Sequence, residues 1–238
     1  MNIRPMKTDH TQINKLLTAG IIAGPFFIMI ALIQAFTREG FDWVSHPASL
    51  LSLGSLGWIQ IANFVLTGLF YIAMAYGLKH VLSSGIGRRW VPRLFTVLGI
   101  AMIAGGVFLA DPSLGFPPGA PVMPENQSWH SVVHGFAPII GFLALTIALI
   151  TLGRRFGSQG QKWWMWATIL IALASYALSS IPSLTGNFET GEFNFIPLWA
   201  GVTLGFGYTS VIAAKFKHSY NYLGNQKSYA KDRSSFMV

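Results

Sequence analysis

The chain has 238 residues, of which 52% are hydrophobic and only 10% are charged, and its mean hydropathy is +0.50. Soluble domains usually carry about a quarter charged residues, so this composition excludes an ordinary water-soluble protein. The formal net charge of +8 would suit nucleic-acid binding, but the basic residues lie between long apolar stretches, and we exclude that partner. The chain has no cysteine, which excludes disulfides and thiolate metal sites.

Six stretches of the chain contain no Asp, Glu, Lys or Arg: 16–37, 43–78, 94–110, 126–153, 163–188 and 193–214. Each is at least about as long as the roughly 17–25 residues that a helix needs to cross a bilayer. The predicted fold is therefore all-α, a polytopic six-transmembrane-helix bundle with helices near 16–36, 58–78, 94–110, 132–152, 163–181 and 195–214. Segment 1–15 precedes this domain (16–214), and the polar, basic tail 215–238 is expected to be disordered or to lie on the membrane.

Charge is distributed unequally between the two sides of the predicted bundle. The termini and the second and fourth connections hold 15 of the 16 Lys and Arg residues, and the other side holds only Arg38 and six of the eight acids. Because cytoplasmic loops are enriched in Lys and Arg, both termini are predicted to be cytoplasmic, with the protein in the cell membrane. The basic loops would contact anionic lipid headgroups.

The second predicted helix carries four polar residues at offsets of 0, 3, 7 and 11, which share one helical face. They are Gln60, Asn63, Thr67 and Tyr71. Two interpretations remain open for this face. The residues could hydrogen-bond to a neighbouring helix within the bundle, or they could line one wall of a polar cavity that opens to the outside.

Histidine and aspartate residues gather at the predicted outer side. His46 precedes Pro47 in the first outer connection, and Asp111 follows the third helix. Asn126 or Ser128 is a suitable N-cap for the fourth helix, which places His130 in its first turn. His134 then lies one turn deeper on the same face. Each of these residues also has a purely structural interpretation as a cap, a turn or a helix stop.

The functional interpretation of this cluster is a zinc centre. His46, His130 and His134 would bind Zn²⁺ and leave a fourth position for water, whose pKa the metal lowers. Asp111 would orient or deprotonate that water, and Ser49 would hydrogen-bond the oxyanion. The predicted function is hydrolysis of a lipid or another amphiphile from the outer leaflet.

The alternatives to the zinc centre are a haem site and a non-enzymatic role. Haem is not expected, because the histidines cluster at one interface instead of facing each other inside the bundle. A non-enzymatic role stays open as well, and such a protein would bind lipid, transport a small solute or act as a scaffold for a partner membrane protein.

The same residues carry a resemblance to a known family. From about Leu17 to Ala214 the chain resembles the bacterial membrane family called domain of unknown function 998, which implies a six-span membrane protein without an established activity. The segments that carry the resemblance are His46–Gly54, Gly57-Trp58, Asn63-Phe64, Gly68, Phe108–Pro112 and His130-x-x-x-His134.

A weaker similarity is to the zinc-dependent membrane hydrolases grouped with alkaline ceramidases and progestin/adipoQ receptors. Those proteins use a Ser and a His, then an Asp, then a His-x-x-x-His pair, and residues of these types follow in the same order here. The chain departs from that group in having six predicted spans instead of seven core helices. Its His pair is also on the fourth helix instead of the last. In that group the Ser also precedes the His, whereas here His46 precedes Ser49.

Overall fold

A computed structural model describes residues 10–187 and 189–235, with side chains described as far as residue 226. It contains a short 3₁₀ helix, Ala48–Ser52, and six long α-helices. These are α1 (His10–Thr37), α2 (Gly57–Val81), α3 (Trp90–Val107), α4 (Trp129–Ser158), α5 (Lys162–Thr185) and α6 (Ile196–Ser235).

All six helices are long and apolar enough to cross a membrane, which confirms the predicted all-helical, six-span fold class. Two helices extend beyond the predicted domain limits. Helix α1 begins at His10, inside the segment predicted to precede the domain. Helix α6 continues to Ser235, so most of the predicted tail from 215 is helical in this structure. Residues 1–9 and 236–238 of the predicted end segments lie outside the described part of the chain.

The helices form a closed ring in which each packs against its neighbours in sequence and α6 packs back against α1. Large side chains fill the centre with almost no exposed surface, among them Leu17, Tyr71, Leu78, Phe95 and Leu149. Helices α2 and α3 approach most closely at Gly68 and Gly99. A Cβ atom on either glycine would lie 2.5 Å from the other's carbonyl oxygen, so the two backbones touch at this crossing.

We call the end of the bundle that holds connections 38–56, 108–128 and 186–195 the cap side, and the end at which α1 begins the terminal side. The terminal-side connections, 82–89 and 159–161, are short. Arg155 of α4 donates to the backbone carbonyls of Ser84 (2.5 Å) and Ile86 (3.0 Å) and so holds the α2–α3 connection. That connection turns through Gly85 and Gly87, both with φ near +80°, a conformation that favours glycine.

Candidate functional site

His46 joins two of the cap-side connections through both of its ring nitrogens. Its Nδ1 accepts a hydrogen bond from the Asp42 backbone N–H (2.9 Å), and its Nε2 lies 2.8 Å from the Leu114 carbonyl oxygen. An N–H can only donate and a carbonyl can only accept, so the ring is neutral with its hydrogen on Nε2. The side chain is 5% exposed. His46 therefore has no lone pair left for a metal.

Further contacts on the cap side join its connections to one another and to the helices. Phe195 donates its backbone N–H to the Val44 carbonyl (2.7 Å), and the indole N–H of Trp199 donates to the His46 carbonyl (3.4 Å). Arg38 donates to the carbonyls of Leu51 (3.1 Å) and Leu53 (2.6 Å), and its guanidinium lies 5.4 Å from the Phe116 ring centre. The three connections thus form one hydrogen-bonded layer over the bundle, which we call the cap.

Asp111 stabilises the start of α4. Its Oδ2 accepts from the Ser128 backbone N–H (2.8 Å), and Ser128 is the N-cap, with its hydroxyl accepting from the Ser131 N–H (3.2 Å). Burial raises the pKa of the Asp111 carboxyl. Hydrogen bonds from Ser128 and Ser131 and the charge of His130 outweigh that effect and leave the pKa lowered. The Ser128 alternative for the predicted N-cap is confirmed.

His130 and His134 lie in different environments although one helical turn separates them. His130 is exposed, with its ring 3.7 Å from the ring centre of Trp129. His134 is 8% exposed, and its Nδ1 donates to the Phe108 carbonyl (2.8 Å) at the end of α3. In the neutral form of the ring, Nε2 is then the acceptor.

The predicted zinc centre is not assembled in this structure. The described residues contain no group of three or more His, Asp and Glu side chains that could hold a metal ion. Both nitrogens of His46 are hydrogen-bonded to backbone groups, and Asp111 is hydrogen-bonded at the N-terminus of α4. Backbone groups engage His46, Asp111 and His134 in this structure, so the structure gives no support to a zinc site formed by these residues and His130.

A cavity of about 510 Å³ lies below the cap, in the cap-side half of the bundle. All six helices and the start of the 3₁₀ helix contribute to its lining. Its inner wall is apolar and aromatic, formed by Phe27, Phe64, Leu98, Met102, Phe142 and Phe206. Two residues of the predicted centre, Ser49 and His134, line it, whereas His46, Asp111 and His130 do not. Its volume falls within the roughly 300–1,000 Å³ that is usual for small-molecule sites.

The cavity reaches the surface between α4 and α5. Gly135, Pro138 and Ile139 of α4 and Tyr176, Ser183 and Leu184 of α5 line it and are also exposed. Near the terminal side the same two helices are in close contact, with Gly153 and Gly157 of α4 against Ile169 and Met165 of α5. The close contact near the terminal side and the exposed lining residues nearer the cap together indicate that the cavity opens between the cap-side parts of α4 and α5. In a membrane this opening would face lipid.

The polar face of α2 does not line this cavity. Gln60, Asn63, Thr67 and Tyr71 are at most 1% exposed and none is among the cavity-lining residues. Gln34 of α1 donates to Gln60 Oε1 (2.8 Å), and Asn63 Nδ2 donates to the Phe27 carbonyl (3.0 Å). These contacts support the interhelical interpretation of this face, at the contact between α1 and α2.

Six membrane-length helices around a cavity that opens between two of them define the class: a multi-pass helical membrane protein with a candidate ligand site. The family described as Protein of unknown function (DUF998) matches residues 21–215, and the chain belongs to it. This confirms the resemblance seen in the sequence. Neither a curated protein nor a solved structure matches the chain.

Sequence reasoning missed the residues that make the cavity. Ser179, Ser180 and Ser183 of α5 line it together with Trp199 and Phe206 of α6. The sequence does contain one signal, since Ser175, Ser179 and Ser183 recur at intervals of four on an otherwise apolar helix. Such a row marks one helical face, but it does not show whether that face meets another helix or a cavity.

Proposed function

We propose that this protein binds a lipid or another amphiphile in the cavity below the cap, and that the ligand enters sideways from the bilayer between α4 and α5. The single observation that carries the proposal is a cavity of about 510 Å³ that opens on the lipid-facing side of the bundle. A water-soluble ligand would reach such an opening only through the membrane. An apolar chain would already be dissolved there.

The combination of apolar and polar side chains in the lining supports an amphiphilic ligand over a wholly apolar one. Phenylalanine, leucine and methionine side chains form the inner wall, whereas hydroxyls and one imidazole lie elsewhere in the lining, at Ser49, His134, Tyr176, Ser179, Ser180 and Ser183. Ligand sites are usually apolar with a few placed polar groups that fix orientation. On the basis of the positive-inside rule, we propose that the cap side is the outer side and that the ligand comes from the outer leaflet.

Photolabelling tests this proposal. The purified protein in nanodiscs is exposed to a diacylglycerol with a diazirine in one acyl chain, and the labelled residues are mapped by mass spectrometry. We expect saturable labelling of cavity-lining residues, such as Phe64 and Phe142, above the labelling of exposed apolar residues elsewhere. Labelling that is unsaturable and uniform over the lipid-facing surface would contradict the proposal.

Two glycines provide a matched pair of variants. Nothing lies within 4 Å of a Cβ atom built on Gly135 or on Gly207, so either position accepts a side chain. Gly135 lines the cavity, whereas Gly207 of α6 does not. We expect Gly135→Trp to fill the opening and to reduce the saturable labelling by about tenfold or more, and Gly207→Trp to leave it unchanged. Equal labelling of both variants would count against the site.

Hydrolysis of the bound amphiphile is a second candidate, favoured by one observation: Ser49 and His134 line the same cavity. A hydroxyl and an imidazole are the groups that many hydrolases use as nucleophile and base. The test is fatty-acid release from fluorogenic esters by the purified protein, with zinc content measured alongside. Activity lost in both Ser49→Ala and His134→Ala would favour this candidate, and absence of activity in the parent protein would end it.

A further inference from the structure

The cavity carries no charged group. None of its lining residues is Asp, Glu, Lys or Arg. The one basic residue of the cap-side connections, Arg38, donates to the carbonyls of Leu51 and Leu53 and so is already engaged. A buried phosphate or carboxylate needs a charged or strongly donating partner. The lining offers no such partner, so an anionic headgroup would lose its hydrogen bonds to water and gain no charged group in return.

The imidazole of His134 presents an acceptor. Because Nδ1 gives its hydrogen to the Phe108 carbonyl at 2.8 Å, Nε2 carries the lone pair of the neutral ring. The side chain lines the cavity and is 8% exposed. A ligand that suits this nitrogen has to donate a hydrogen bond, as a hydroxyl does and as a phosphodiester or an ester does not.

The hydroxyls of Ser175, Ser179 and Ser180 on α5 do not offer a second contact. The Ser179 oxygen is buried, and it lies against α6, 2.5 Å from a Cβ atom built on Gly201. The Ser180 hydroxyl donates to the Tyr176 carbonyl (2.9 Å), and the Ser175 hydroxyl donates to the Gly201 carbonyl (2.7 Å). His134 Nε2 is therefore the group that we expect to bind the ligand hydroxyl.

We propose that the cavity selects uncharged amphiphiles that carry a free hydroxyl, such as long-chain alcohols, monoacylglycerols and diacylglycerols, over phospholipids. The ligand hydroxyl would donate to His134 Nε2, while the apolar chain lies along the phenylalanine wall. This inference rests on the proposed function and adds the chemical class of the headgroup.

Competition against the photolabel tests the selectivity. Dioleoylglycerol and dioleoyl phosphatidic acid have the same acyl chains and differ only in the headgroup. We expect dioleoylglycerol to displace the label at a concentration at least about tenfold lower, as expected for one hydrogen bond and an avoided charge burial. Displacement by both lipids at the same concentration would overturn the selectivity.

A variant tests the assigned hydrogen bond separately from the rest of the cavity. His134→Leu should reduce the preference for dioleoylglycerol by several-fold while labelling by the acyl-chain probe continues. Ser175→Ala is the control, because it removes a buried hydroxyl that does not line the cavity, and its preference should equal that of the parent. An unchanged preference in His134→Leu would overturn the assigned contact.

The result for Gly135→Trp distinguishes failure of the proposed binding site from failure of the headgroup inference alone. If Gly135→Trp leaves the saturable labelling unchanged, the binding site itself is wrong. If Gly135→Trp abolishes labelling and phosphatidic acid still competes as well as dioleoylglycerol, the binding site stands and the headgroup inference alone is wrong. Thermal unfolding of each variant in detergent checks that the chain is folded.

Discussion

On the cap side, three long connections hydrogen-bond to one another and cover a cavity. On the terminal side, short connections follow the helices directly, and one of them is held by a single arginine. His46 makes its two bonds from a buried ring, whereas Arg155 makes its two bonds at an exposed position. Polar residues in the cap therefore contribute more to stability, since burial makes an unsatisfied partner costly. The difference also shows that a histidine at a membrane interface can be wholly structural.

We expect the largest difference between the two ends to be their accessibility to a reagent added outside an intact cell. The chain has no cysteine, so single cysteines can be introduced without background. Ser55 of the cap side and Ser83 of the terminal side are both exposed. We expect a membrane-impermeant maleimide to label Ser55→Cys in intact cells and to label Ser83→Cys only after permeabilisation. The reverse pattern would invert the predicted orientation.

Removing the principal hydrogen-bonding residue at each end should give unequal losses of stability. His46→Ala leaves the Asp42 N–H and the Leu114 carbonyl without partners, and we expect the free energy of unfolding to fall by about 3 kcal/mol. Arg155→Ala should cost about 1 kcal/mol, because water can replace its bonds. Thermal and denaturant unfolding in detergent measures both. Exposed His130→Ala is the control, with an expected change within about 0.5 kcal/mol, and equal losses for His46→Ala and His130→Ala would refute the structural role.

Acid should weaken the cap before the terminal side. The Ser45 hydroxyl and the Val44 N–H hold the pKa of the Asp42 carboxyl below its ordinary value, and the pKa of Asp111 is lowered as well. Both groups therefore contribute stability above the ordinary carboxyl pKa, near about 3.9, and that stability is lost as the pH falls through the lowered values. The melting temperature should decline below about pH 5. A variant with both Asp42→Asn and Asp111→Asn should show a flatter acid profile, and an identical profile would contradict this assignment.

Metal removal is expected to have the smallest effect. Since His46 has no free lone pair and the predicted ligands are not grouped, chelation with EDTA or phenanthroline should leave the melting temperature unchanged. Elemental analysis should give well below one zinc per chain. One zinc per chain, lost in His134→Ala, would restore the predicted centre.

Much of the fold could be predicted from the sequence because membrane insertion depends on simple quantities. Runs without charge identify the six helices, and N-cap chemistry narrows the start of α4 to Asn126 or Ser128, of which Ser128 is the N-cap. The helix ends were predicted less well. Helix α4 runs over Trp129–Ser158, longer than the predicted 132–152. The reason is that helices continue past the hydrocarbon region, where hydropathy no longer marks their limits.

The candidate site could be predicted only in part. His46 and His134 were both correctly placed at one end of the bundle, but their roles depend on partners 68 and 26 residues away along the chain. Spacing along one helix cannot show that the Leu114 carbonyl occupies a histidine nitrogen. The cavity was missed for the same reason, since its lining residues come from all six helices.

The contact between Gly68 and Gly99 has a consequence for how the protein could accommodate molecules of different size. Because the α2 and α3 backbones touch there, this pair of helices cannot move closer together, and even one methyl group would force them apart. Adjustment to a bulkier ligand would therefore have to come from the other helices around the cavity, because this pair is fixed where its backbones cross.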